Sequence, residues 1–121
     1  MVELRQGHVY WTDFGEPVGS EPGYKRPSVV VQRDELNRSR IATTLVVVIT
    51  SNLALADATG NVRLRKGEAG LSKPSVANVT AVVTVDRSQL LHQLGEMSRE
   101  HFKDVIRGIG LVMGVDRILN D

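Results

Sequence analysis

The chain has 121 residues, with 15 Lys and Arg against 14 Asp and Glu, for a formal charge of +1. That length suits a single domain spanning 1–121, with a core that needs no staples. The charge balance excludes a global basic field but leaves room for a local basic patch. The absence of cysteine excludes disulfides and thiolate metal sites and fits a reducing cytoplasm. Neither an apolar leader nor a run of roughly 20 apolar residues occurs, so no membrane association is expected. Aromatic residues make up 4% of the chain, which argues against an aromatic platform for stacking single-stranded bases.

Residues His8 to Phe14 read as a first strand, with Val9 and Trp11 on one face and His8, Tyr10, Thr12 and Phe14 on the other. A loop follows over Val18–Pro27. Gly19, Pro22, Gly23 and Pro27 bar a helix or a ladder strand from it. Ser20, Glu21, Lys25 and Arg26 supply it with a hydroxyl, a carboxylate and two cations. Pro27 can begin a strand, and Ser28 to Gln32 continues it as a solid apolar run, buried on both faces. Arg33 to Arg40 is polar and reads as a turn or loop. Thr43 to Ile49 is the strongest strand of the chain, nearly all β-branched, and it ends at Thr50-Ser51-Asn52, which favour turns and caps.

Leu53 to Thr59 reads as loop. Asn61 to Lys66 alternates, with Val62 and Leu64 on one face and Arg63 and Arg65 on the other, a half-exposed strand. Ser75 to Val79 and Ala81 to Val85 give one or two further strands, Asp86 to Gln89 a helical turn, and Leu90 to Leu94 a brief last strand. Ser98 is positioned as an N-cap with Glu100 in the first turn. Phe102, Val105, Ile106, Ile109, Val112 and Met113 then recur at helical spacing as one apolar face. Gly108 and Gly110 interrupt that helix at about 1 kcal/mol each. Close packing on the sheet explains them, as does close approach to a partner chain. Short strands in order followed by one helix predict a small, strongly curved sheet or barrel, mainly β with α, ending in a helix.

Arg26 and Thr50 stand out for chemistry. An arginine fork can grip a phosphate at two oxygens. If the two strands run antiparallel as neighbours, the start of one meets the end of the other, and a guanidinium and a hydroxyl face one cavity. The plainer account is a surface arginine and a capping threonine. Glu21 can orient Arg26 or act as a base, or simply sit in water. His8, His92 and His101 have no partners at metal-ligand spacing, so no metal site and no cofactor are expected. Arg63, Arg65 and Lys66 are a solvated strand face unless that face borders Arg26, where they would hold a phosphate backbone.

The pattern Gly7-x-Val9-Tyr10-Trp11-x-Asp13-Phe14, then Gly19-Ser20-Glu21-x-Gly23-x-x-Arg26-Pro27 followed by Val30-Val31-Gln32, resembles the opening of the MazF/PemK toxin family. Ile49-Thr50 matches its second signature, and Ser75-Val76 with Thr84-Val85-Asp86 its third. The resemblance covers nearly the whole chain. It implies a small SH3-like antiparallel barrel with a C-terminal helix, usually a homodimer. It also implies a metal-independent, sequence-specific endoribonuclease of a type II toxin–antitoxin pair, acting on single-stranded RNA and leaving 2′,3′-cyclic phosphate and 5′-hydroxyl ends. The partner implied is a cognate antitoxin with an extended acidic segment. The family's catalytic arginine and threonine fall on Arg26 and Thr50, and its motif glutamate on Glu21. Ser20, Tyr24, Lys25, Arg63, Arg65 and Ser75 are then expected to contact RNA, with Tyr24 and Lys25 as readers of the substrate.

The chain departs from the pattern at Thr80-Ala81, where many members carry an acidic and an amide side chain. It departs again at His8, often a carboxylate, and at Pro22 and Tyr24, commonly Gln and Gly. These bear on which RNA sequence is cut. Two other functions remain open on the same barrel: a toxin that poisons DNA gyrase, and an RNA-binding module without turnover.

Overall fold

The computed structural model describes residues 3–121. Its strands are β1 (His8–Asp13), β2 (Lys25–Val30), β3 (Thr43–Thr50), β4 (Val62–Leu64), β5 (Ser75–Asp86) and β6 (Leu90–Glu96); its helices are α1 (Asp34–Asn37), α2 (Arg99–Met113) and α3 (Val115–Leu119). The strands form one sheet in the order β4-β5-β3-β2-β1-β6, antiparallel at every pairing.

Both faces of the sheet are covered, and this explains the unbroken apolar runs. Val29, Val47, Ile49, Val62 and Leu64 face one core, which α2 covers with Val105 and Phe102. Val30, Val46 and Val85 face a second core with Leu4, Tyr10 and Leu90. Neighbours in β2 and β3 therefore point into opposite cores, and β-branched residues satisfy both.

The sheet curls into a half-barrel because its registers slip. Along β5 the pairing jumps from Val47↔Val82 to Val48↔Asn78, and β1 shifts twice against β6. Such irregularities bend a strand and increase its twist. The turn around Gly67–Leu71 leans across to β6. A Cβ on Gly70 would lie 2.0 Å from the Leu94 carbonyl oxygen, and Gly70 has φ +78°, so only glycine fits there. Glu68 fastens the same turn to α2. Its Oε2 accepts from the Ser98 amide (2.8 Å) and its Oε1 takes a hydrogen bond from His101 Nδ1 (2.9 Å). Ser98 caps α2 as expected, its hydroxyl accepting from the His101 amide at 3.2 Å.

Several elements differ from the sequence expectation. Strand β2 starts at Lys25 and carries Pro27 inside it. Odd-numbered residues of this strand present their amides to β3, as Val31 does in donating to Leu45. The missing amide of Pro27 therefore falls on the β3 side, and the β2–β3 ladder stops at Ser28↔Val48. The polar stretch after β2 contains α1, and Leu53–Asp57 forms a 3₁₀ turn capped by Asn52. Helix α3 lies beyond Gly114, which ends α2 at φ +71°. Only half of the predicted apolar face of α2 is covered: Val105 is buried, whereas Ile106, Val112 and Met113 are exposed. Of its two glycines, Gly108 is the tight one. A Cβ there would lie 2.1 Å from the Gly60 carbonyl oxygen, and one on Gly110 would meet nothing within 4 Å.

Candidate active site

The interrupted β2–β3 seam builds the site. Strand β1 pairs Thr12 with Arg26 and Trp11 with Pro27. Extending the Ser28↔Val48 register by one residue sets Pro27 opposite Ile49, and by two sets Arg26 opposite Thr50. Two adjacent rows result. Thr12, Arg26 and Thr50 share one face of the sheet; Trp11, Pro27 and Ile49 share the other. With no ladder bonds tying Arg26 to Thr50, a polar ligand can approach both.

Over the first row lies an open cleft of about 1170 Å³, bordered by Ser20, Glu21, Arg26, Thr50, Asn78 and Thr80. Glu21 and Arg26 are its only charged lining side chains among the described residues. Arg26 is half-buried, and its Nε donates to the Gly23 carbonyl at 3.0 Å. That bond fixes the plane of the guanidinium and leaves its two terminal nitrogens without an ion-pair partner among the described residues. Thr50 Oγ1 accepts from the Asn52 amide at 3.1 Å, so its own proton can be donated outward. At the β1 end of the row Thr12 is fully buried, its hydroxyl bonded at 2.7 Å to that of the equally buried Ser28.

Against the second row lies a smaller cavity of about 570 Å³, and Arg26 borders it too. Tyr24, Lys25 and Ser75 line it, facing Ser72 and Lys73 of the turn before β5. The loop ahead of β2 is thus divided: Ser20 and Glu21 serve the large cleft, Tyr24 and Lys25 the small cavity. Arg63 belongs to neither. It lines a third depression with His101, Asp104 and Arg107 beside α2, and Arg65 borders none of the three. Their outward direction follows from Val62 and Leu64 filling the core.

Three contributors were not expected as site residues from the sequence, Thr80 having been noted only as a departure from the family pattern. Asn78 and Thr80 come to the cleft through the β5 register slip, with Thr80 Oγ1 donating to Asn78 Oδ1 at 3.1 Å. Thr80 and Ala81, where the chain departs from the family pattern, both line the cleft. Lys73 is the third, brought in by the Gly67–Leu71 turn. Slips and turns of this kind leave no periodic signal in a sequence.

The family model described as "PemK-like, MazF-like toxin of type II toxin-antitoxin system" matches residues 5–113. The chain belongs to this toxin family. Among curated relatives, endoribonuclease MazF6 of Mycobacterium tuberculosis is 42% identical over 110 residues, covering 91% of this chain and 96% of the relative. Endoribonuclease MazF of Staphylococcus saprophyticus is 31% identical over 115 residues, covering 95% of each. The fold is likewise that of solved family members. The crystal structure of MazF from Deinococcus radiodurans superposes with a TM-score of 0.78 at 23% identity, covering 94% of this chain and 99% of that one. A mycobacterial endoribonuclease in complex with its cognate antitoxin gives a TM-score of 0.71 at 20% identity, covering 94% and 96%.

Proposed function

We propose that this toxin is a metal-independent, sequence-specific endoribonuclease that cuts single-stranded RNA by attack of the RNA's own 2′-hydroxyl. The observation that carries this is the pairing of Arg26 with Thr50 across an unlaced seam, above an open cleft that also holds Glu21. Relatives named endoribonucleases at 31–42% identity support it.

The chemistry asks for no protein nucleophile. The 2′-oxygen attacks the adjacent phosphorus, the bond from phosphorus to the 5′-oxygen breaks, and a 2′,3′-cyclic phosphate and a 5′-hydroxyl remain. The protein must hold the phosphate in line and stabilise charge growing on its oxygens. The free end of the Arg26 guanidinium supplies two donors and a positive charge, and Thr50 donates to a non-bridging oxygen. Arg26 stays cationic and hydrogen-bonds the departing 5′-oxygen, which takes its proton from water to become the 5′-hydroxyl. Glu21 or water takes the 2′ proton. Ser20, Tyr24 and Lys25 contact the chain on either side of the cut. The cognate antitoxin lays an acidic segment over Arg26 and competes with RNA. The protein works as a homodimer in the cytoplasm.

The test is to treat a mixed RNA with purified protein in chelator and map the new 5′-hydroxyl ends. Arg26→Ala should lower kcat/KM by about 10³-fold, and Thr50→Ala by about 10²-fold, as expected for lost transition-state donors. Arg26→Ala cutting within a few-fold of the unmodified protein would refute the assignment. Arrest of gyrase with intact RNA would replace it with the poison reading, and RNA binding without any cut with the non-enzymatic one.

A further inference from the structure

Strand β4 ends the sheet, with β5 and β3 between it and the strand that carries Arg26. We propose that the groove between the free edge of β4 and α2 docks an extended acidic peptide as an added strand, giving the antitoxin an anchor apart from the Arg26 cleft; the inference rests on the toxin–antitoxin reading above.

Strand parity shows that the edge is open. Odd-numbered residues of β3 bond to β2, as Leu45 does in accepting from Val31, so Val48 and Thr50 turn their amides and carbonyls to β5. Their partners Asn78 and Val76 face back, which leaves Ala77 and Ser75 to bond Val62 and Leu64 of β4. The amide of Val79 has the same sense, meeting Asn61 Oδ1 at 2.9 Å. Arg63, between Val62 and Leu64, therefore points its amide and carbonyl outward. Neither group takes part in a backbone hydrogen bond of the chain among the described residues. One donor and one acceptor on an edge residue are what an added strand pairs with. A phosphate offers acceptors alone and would leave the carbonyl unpaired.

The groove suits a strand in shape and charge. Helix α2 runs alongside β4 in the opposite direction. Gly108 presses on Gly60 at one end, and Glu68 holds His101 at the other. An open depression of about 390 Å³ lies along them, bordered by Arg63 and by Leu111, which is 61% exposed. Arg65 and Lys66 continue the edge. All three cations are exposed and have no ion-pair partner among the described residues. The carboxylate in the groove, Asp104, is already paired with Arg107 at 3.2 Å. Side chains of a strand alternate between its faces. Acidic residues at every second position of the peptide would meet Arg63 and Arg65, while the residues between them turn toward α2 and Leu111.

The experiment titrates the full chain, labelled for backbone-amide NMR, with a capped octapeptide that alternates valine and glutamate. The amides of Arg63, His101 and Leu111 should shift, and exchange of the Arg63 amide with solvent should slow by about tenfold or more at saturation. A lysine-for-glutamate peptide should bind at least about tenfold more weakly, and so should a peptide methylated on its four central amides. Arg63→Glu keeps the backbone and should weaken binding about tenfold. Arg63→Pro deletes the outward amide at an edge position that tolerates proline and should weaken it as much; if that variant melts early, the methylated peptide carries the same test. Arg26→Ala should leave affinity within about twofold. Shifts confined to the Arg26 cleft would overturn the groove and leave the antitoxin's place over Arg26 standing. Affinity indifferent to both Arg63→Glu and amide methylation would overturn it as well. A 2′-deoxy hexanucleotide that moves the Arg63 amide where the peptide does not would give the groove to nucleic acid instead. The same shifts on raising protein concentration without peptide would give it to a second copy. A peptide-filled groove in a protein that cuts no RNA would support the anchor and refute the nuclease.

Discussion

The two lips of the smaller cavity are built by opposite means. The turn at Gly67–Leu71 is packed shut: Leu71 is buried, Gly70 touches the backbone of β6, and Glu68 accepts two hydrogen bonds from the start of α2. The loop from Gly15 to Tyr24 is tied at its base. Tyr24 donates to the Gly15 carbonyl at 2.5 Å, Phe14 donates to Tyr24 at 2.8 Å, and Gly23 packs on Pro17. Above that base its side chains stand in solvent, with Val18 72% and Tyr24 65% exposed. One lip is thus held by packing and the other stands largely in solvent. Damage to the turn should therefore appear first as lost stability, and damage to the loop first as lost substrate handling.

The largest effect on stability is expected from Gly70→Ala. The new methyl meets Leu94 and must adopt a positive φ, a combination worth about 3 kcal/mol. Thermal unfolding should shift down by roughly 10 °C for a chain of this size. Glu68→Ala comes next. It leaves the Ser98 amide and His101 without their acceptor, at about 2 kcal/mol, and Glu68→Gln should recover part of that loss because an acceptor oxygen remains. Denaturant midpoints measure both. The two glycines of α2 then separate close packing from mere helix cost. Gly108→Ala should destabilise by about 1–3 kcal/mol against Gly60, whereas Gly110→Ala should stabilise by up to ~1 kcal/mol. A loss of similar size at Gly110 would mean that a partner chain approaches there. The smallest effect is Tyr24→Gly. Tyr24 sits at φ 61°, so glycine relieves strain and stability should hold or rise by about 1 kcal/mol, while KM for RNA increases. A clear fall in stability would erase the contrast between the lips.

Much of the site was legible in advance, for definite reasons. Arg26 and Thr50 lie at opposite ends of two strands whose β-branched runs leave little doubt about their extent, and antiparallel neighbours bring such ends together. The motif around Gly19-Ser20-Glu21 located the loop. What was misplaced had no local signature. Arg63 and Arg65 were expected to hold RNA only if their strand face bordered Arg26, and Val62 and Leu64 turn them away from it. Pro27 looked like a strand start, yet it sits within β2 because its lost amide falls where the ladder ends anyway. The helix periodicity was correct, but it could not say which half of the apolar face the sheet would cover.

By itself the sequence determined the strands, the long C-terminal helix, their order and the identity of the toxin family, since periodicity, turn residues and motif spacing are properties of neighbours along a chain. Only the tertiary structure decided that Arg26 divides two spaces, that Asn78, Thr80 and Lys73 join it, and that one lip is rigid. Those facts depend on strand register, on slips in that register and on contacts such as Gly70 with Leu94, which are fixed by packing between residues far apart in the chain.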